Sequence, residues 1–203
     1  MPAYQDDVRR SRSYSLARLG VDHVDIHRPA RLDRSVPIED TIGAIKDMID
    51  AGYVRFVGLS EVDAQTVRRA HAAHPVVDLQ IEYSLLSRAV EAEVLPALRE
   101  SGIGLTAHGV LGRGLLSGNW VPGRADDPRN HAPRFSAENA SHNQTRSGGG
   151  VAPGRRWEGV EPSAGDPEEI EAAVPKGTAR GDRYPRRSWA NLGVGNRRLD
   201  GQP

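Results

Sequence analysis

Four short β-rich runs alternate with stretches of helical period, and this alternation constrains the fold more than any other feature of the chain. The runs lie at His23–His27, Val54–Ser60, Val77–Tyr83 and Ile103–Val110. Their starts are roughly 23–31 residues apart, with one helical period between successive runs. That is the spacing of βα units, which build a parallel sheet. Ile38, Ile42, Ile45, Met48 and Ile49 recur at helix spacing, with Glu39 and Asp40 in the first turn and Gly52 as the stop. Val67, Ala70 and Ala73 follow Asp63, a residue suited to N-capping. Val90, Val94, Leu95 and Leu98 predict a helix ending at Gly102, and Leu16 and Leu19 predict one ending at Gly20. Glycine closes helix after helix and a strand follows within a few residues. That regularity favours a (β/α) barrel. Periodicity does not fix strand order, so a doubly wound, flavodoxin-like order fits the same pattern.

The last run leads into the most distinctive words of the sequence. Gly104-Leu105-Thr106-Ala107-His108 reads as a buried strand that passes into the loop Gly109-Val110-Leu111-Gly112-Arg113-Gly114. Glycine removes the side chain that would block a phosphate, so backbone N–H groups can approach it closely.

After Trp120 the alternation stops. Residues 121–165 hold many Pro, Gly, Arg, Asn and Ser, with Gly148-Gly149-Gly150 in the middle, and no apolar stripe of helix or strand period. They are expected to be loop or disordered. A short helix is expected at Pro167–Val174, capped by Asp166, with Glu168 and Glu169 in its first turn. From Pro175 to Pro203 the tail is basic and turn-rich. The expected organisation is a βα region over 13–120, a loop segment over 121–165, and a short helix with basic tail over 166–203.

Composition excludes several classes of function. The 27 basic and 27 acidic side chains cancel, so no overall charge draws the chain to nucleic acid or an anionic membrane. There is no cysteine, which removes disulfides, thiolate zinc sites and thiol catalysis. No apolar run approaches the ~20 residues of a membrane span. The polar, Arg-rich start is unlike a secretory signal, so the cytoplasm is the expected location. His23 and His27 share a strand face by spacing, but no metal site is expected there. His71 and His74 are expected on a solvated helix face. The arginines at 180, 183, 186, 187, 197 and 198 are expected on a solvated tail rather than on a phosphate backbone.

Residues 13–120 resemble the aldo-keto reductases, most closely the branch related to the potassium-channel β-subunits. The resemblance rests on Ser15-Leu16-Ala17-Arg18-Leu19-Gly20-Val21-Asp22, Val36-Pro37-Ile38-Glu39-Asp40-Thr41, Gly52-Tyr53-Val54-Arg55-Phe56-Val57-Gly58-Leu59-Ser60, Gln80-Ile81-Glu82-Tyr83-Ser84-Leu85-Leu86 and the glycine-loop segment. Glu168 to Pro175 also resembles the family's C-terminal helix. The resemblance implies an incomplete (β/α)8 TIM barrel of about four βα units, matching the family's fourth to seventh strands, with a loop-rich C-terminal tail. It implies NADP(H) as cofactor and a small carbonyl compound as substrate.

The resemblance also assigns roles. Ser60 and Gln80 match residues that hold the nicotinamide carboxamide, a group that needs both donors and acceptors. His108 stands where an aromatic ring stacks on the nicotinamide. Gly109, Val110, Leu111 and Gly114 match the loop that touches the pyrophosphate. Glu61 replaces a common Asn. The family's catalytic His position falls on Ala30, and no residue here matches its catalytic Asp, Tyr and Lys. No catalytic residue is therefore assigned, and little turnover is expected of this chain alone. The alternative is a non-catalytic, truncated gene product or partner-binding fragment. Gly181-Asp182-Arg183-Tyr184-Pro185 resembles the family's C-terminal loop. An open four-stranded sheet leaves edges unpaired, so self-association of half barrels is a further expectation.

Overall fold

The computed structural model describes residues 15–117, 126–147 and 163–181. Its strands are β1 (Val24–His27), β2 (Val54–Ser60), β3 (Val76–Glu82) and β4 (Gly104–His108). Its helices are α1 (Ile38–Asp50), α2 (Ala64–Ala73), α3 (Val94–Ser101), α4 (Ala137–Ser147) and α5 (Asp166–Ala173). The sheet order is β1-β2-β3-β4, with β1–β2 and β2–β3 parallel. A flavodoxin-like order reverses direction within the sheet. This one advances strand by strand, as an incomplete (β/α)8 barrel does.

The chain divides into two compact units, and among the described residues the first comprises 15–81 and 91–106. Val57, Leu59, Leu79 and Ile81 of its strands are buried, as are Ile42, Ile45 and Met48 of α1 and Val67 and Ala70 of α2. α1 packs on β2 and on α2, and α2 packs on α3. Asp63 caps α2 as expected, its carboxylate accepting from Thr66 N at 2.7 Å. Gly102 ends α3 with a φ of +64°, a conformation in which glycine meets no Cβ clash.

A polar layer runs across the four strands of this unit. Arg28, just past β1, forms an ion pair with Asp78 of β3, and Thr106 of β4 donates its hydroxyl hydrogen to the same carboxylate. To reach Asp78, Arg28 crosses β2 at Gly58. A Cβ on Gly58 would stand 2.5 Å from Arg28 Cγ and 2.8 Å from Ile26 Cγ2. Glycine is required here by close approach, not by backbone angle.

The second unit comprises 82–90, 107–117, 126–147 and 163–181 among the described residues. Its core is Leu86, Leu115, Leu116, Ala132, Phe135, Ala140 and Val174. Short 3-10 turns at Gly112–Ser117, Pro128–His131 and Pro133–Phe135 precede α4.

Several expectations are corrected. His23 lies outside β1, and β4 ends at His108 rather than Val110. β4, last in the sheet order, is half-buried to exposed along its length rather than buried. The helix expected from Val90 is broken into a 3-10 turn (Ala89–Glu91) and α3. Pro96 explains the break, because a proline is tolerated in a helix's first turn but not in its interior. Asp166 does not cap α5. Gly165 holds the cap position, and Asp166 turns back to accept from Ser163 N and Oγ at 2.7 and 2.8 Å.

The stretch expected as loop holds α4 and two 3-10 turns. Beside the apolar contacts of Phe135 and Ala140, their hold is polar. Asn143 of α4, 0% exposed, donates to the carbonyls of Arg134 and Arg180 and accepts from Arg180 N at 2.7 Å. An apolar count does not register a helix anchored by an asparagine. The Arg-rich tail beyond 181, Gly148 to Gly150 and most of the C-terminal loop words lie outside the described residues.

Candidate functional site

The strand ends of the first unit bring two of the expected residues together. Ser60 pairs in register with Gln80 across β2 and β3, so both side chains leave the same face of the sheet as neighbours. Ser60 is buried and Gln80 half-buried. A hydroxyl and a primary amide side by side offer donors and acceptors to one planar polar group. The next residue closes the strand pair: Glu61 N donates to Gln80 O at 2.9 Å.

Glu61 is 1% exposed and sits at φ +53°. Asn adopts this left-handed region several-fold more readily than Glu, so the residue is strained where it stands. His27 ends β1, and burial alone lowers its pKa below the ordinary imidazole value. Ala30, which the resemblance sets against the family's histidine, is exposed and has no side-chain group that could transfer a proton. A cavity beside Ser60, lined by Pro29, Leu32, Ile38, Thr41, Leu59 and Val62, has room for no more than about one water.

The second unit holds the glycine loop. His108 O accepts from Tyr83 N at 3.2 Å at the end of β4. Gly109 follows at φ +63°, and a Cβ there would come within 3.1 Å of Glu82 Cγ. Two tight turns then wind the chain, with Gly112 N donating to Gly109 O at 2.8 Å and Gly114 N donating to Leu111 O at 3.1 Å. Arg113 and Gly114 both hold positive φ, +57° and +99°. Val110 and Leu111 are about half-exposed at the tip. Glycine at 109, 112 and 114 leaves the main chain bare of side chains at three positions of the loop.

Beneath the loop lies a charged cluster that sequence reasoning missed. Glu82, 3% exposed, accepts from Ser87 Oγ at 2.8 Å, and Arg134 Nη1 donates to the same hydroxyl at 2.9 Å. Arg129 chelates Asp127 through two of its nitrogens and donates to Arg113 O at 2.9 Å. The available signal was parity: Glu82 is two residues from Gln80 and therefore shares its strand face.

His71, expected on a solvated face, is half-buried and accepts from Val76 N at 3.2 Å through Nδ1. Among the described residues no three His, Asp or Glu side chains gather as a metal site would require. Nor is any described helix long and apolar enough to cross a membrane.

Comparison with known proteins identifies relatives. Residues 3–158 match the family described as "Aldo/keto reductase family". The chain is 43% identical over 141 residues to "Probable aldo-keto reductase 1" of Glycine max, a match that covers 68% of this chain and 40% of that relative. Among solved structures it superposes on a glycerol dehydrogenase from Gluconobacter oxydans with a TM-score of 0.65 at 24% identity, over 70% of this chain and 45% of that one. A thermostable aldo-keto reductase solved with the inhibitor epalrestat gives 0.52 at 28% identity, over 54% of this chain and 41% of that one. The matched part thus spans less than half the length of each of these relatives.

Proposed function

The chain belongs to the aldo/keto reductase family, and on that premise we propose that it carries the nicotinamide-facing residues of an NADP(H)-dependent oxidoreductase acting on small carbonyl compounds. The observation that carries this reading is the direct pairing of Ser60 with Gln80. The two side chains supply the donors and acceptors that a carboxamide needs. The resemblance assigns His108 to the nicotinamide ring. The main chain of Gly109, Val110, Leu111 and Gly114 serves the diphosphate. A cofactor held there would supply the hydride.

These 203 residues taken alone bind the cofactor without turning over a carbonyl. Ala30 occupies the place of the family's catalytic histidine, and the resemblance finds no counterpart here of its Asp, Tyr and Lys. Those groups stabilise charge that develops only in the transition state, so binding survives their absence better than rate does.

Titrating NADPH and NADH into the purified chain, followed by the fluorescence of the reduced nicotinamide, tests the reading. Ser60→Ala and Gln80→Ala each weaken binding by about tenfold, the loss of one hydrogen-bonding partner. No saturable binding of either nucleotide sinks the cofactor assignment. Aldehyde-dependent oxidation of NADPH by the pure chain contradicts the expected lack of turnover.

A further inference from the structure

The glycine loop does not keep its shape by its own hydrogen bonds alone. The Glu82 carboxylate stands under it, at the end of β3. Its Cγ packs against the position where Gly109 would bear a Cβ, at 3.1 Å. Its Oε1 accepts from Ser87 Oγ at 2.8 Å and lies 3.7 Å from Arg134 Nη1. Its Oε2 lies 3.9 Å from Arg113 Nη2, a guanidinium carried by the loop itself. Four stretches of chain therefore converge on one buried side chain: the first residue of the loop, its middle, the turn after β3, and the 3-10 turn Pro133–Phe135.

Arg113 holds φ +57°. A non-glycine residue stays in that region only where its surroundings impose it. The ion pair with Glu82 restrains its side chain, and the bond from Arg129 restrains its carbonyl.

We propose that Glu82 is the positioning residue of the glycine loop, holding Gly109–Gly114 in the shape that receives a diphosphate. The proposal rests on the reading of that loop as diphosphate-facing. Glu82 itself does not touch the ligand; it acts through Arg113 and through its contact with Gly109. Charge alone predicts the opposite consequence. An acid beside an anion site repels the anion, so removing its charge should tighten binding. Positioning predicts weaker binding, because Arg113 is released and the loop relaxes. The sign of the change separates the two.

The test compares the full chain with its Glu82→Gln variant, which keeps the side-chain length and an acceptor for Ser87. Pyrophosphate binding is measured by calorimetry at low salt, and loop order by amide hydrogen exchange. Glu82→Gln is expected to weaken pyrophosphate binding about tenfold and to speed exchange at 109–116 and 134–135 by a similar factor, with α1 and β2 unchanged. Ser87→Ala, which leaves the carboxylate and both guanidiniums in place, shifts the same amides in the same direction by less. If Glu82→Gln fails to fold, Ser87→Ala carries both measurements. Tighter pyrophosphate binding overturns the proposal, and so does unchanged exchange in the loop. If the unaltered chain binds no pyrophosphate, the diphosphate reading fails, and exchange still decides whether Glu82 holds the loop.

Discussion

The two compact units are built by different forces. In the first, isoleucines, leucines and valines at helix and strand period fill an apolar core, and parallel backbone ladders join its strands. In the second, seven apolar side chains form a small core, and much of the remaining chain is tied by polar side chains bonded to backbone. Apolar burial is non-directional and tolerates approximate patterns. A buried amide bonded to three backbone groups must have one residue type in one place. The first kind of unit is therefore written in periodicity, and the second in individual residues that no period marks.

Substitutions at the two centres test the contrast most strongly. Ile45, 0% exposed in α1, lies in the apolar core, and Ile45→Ala is expected to cost about 2–5 kcal/mol in chemical denaturation. Its loosening should be confined to amides of the first unit. Asn143→Leu preserves bulk but leaves the carbonyls of Arg134 and Arg180 and the N–H of Arg180 without their partner. It is expected to destabilise the second unit by about 2–4 kcal/mol, seen as faster exchange at 134–143 and 178–181. A neutral or stabilising Asn143→Leu would show that apolar packing, not the amide, holds that unit.

A smaller effect is expected where the first unit departs from its own rule. Gly58→Ala forces a Cβ into Arg28 and Ile26, at a cost of about 1–3 kcal/mol in thermal unfolding. Removing the obstruction with Arg28→Ala in the same chain should make the alanine better tolerated than it is alone. Additive losses would mean that the Arg28 crossing is not what requires glycine.

The smallest effect concerns pH. Burial lowers the His27 pKa in the folded chain, so the unfolded chain takes up a proton first. Stability is thus retained above about pH 6.5, the ordinary imidazole value. It is lost as pH falls from there through the lowered folded value. Denaturation midpoints between pH 8 and 5 should show this decline, and His27→Gln should flatten it. A decline of equal size in His27→Gln would assign it to other groups.

Legibility followed the same division. β2 was expected at Val54–Ser60 and is found there, and β3 shifts by one residue. The Asp63 cap and the Gly102 stop were each legible because their chemistry is local. The resemblance named Ser60 and Gln80 together, but their pairing was not legible, since parallel register is a relation between strands 20 residues apart. The register shift between Val57 and Gly58 and the crossing of Arg28 left no mark in any single segment. Residues 121–165 read as loop because α4 carries no apolar stripe and is fixed in part by the hydrogen bonds of Asn143.

By itself the sequence determined the βα alternation, the Asp63 cap, the Gly102 stop and the family resemblance. Each of these depends on side-chain type and short spacing, which the linear order carries in full. Tertiary structure alone decided which strand lies beside which, that Arg28 reaches Asp78 over Gly58, that Asn143 fastens residues 134 and 180 to one helix, and that Glu82 lies under the glycine loop. Those contacts join residues far apart in the chain. The free energy that selects them comes from excluding water around the assembled groups, a condition no single segment can meet before the rest has folded.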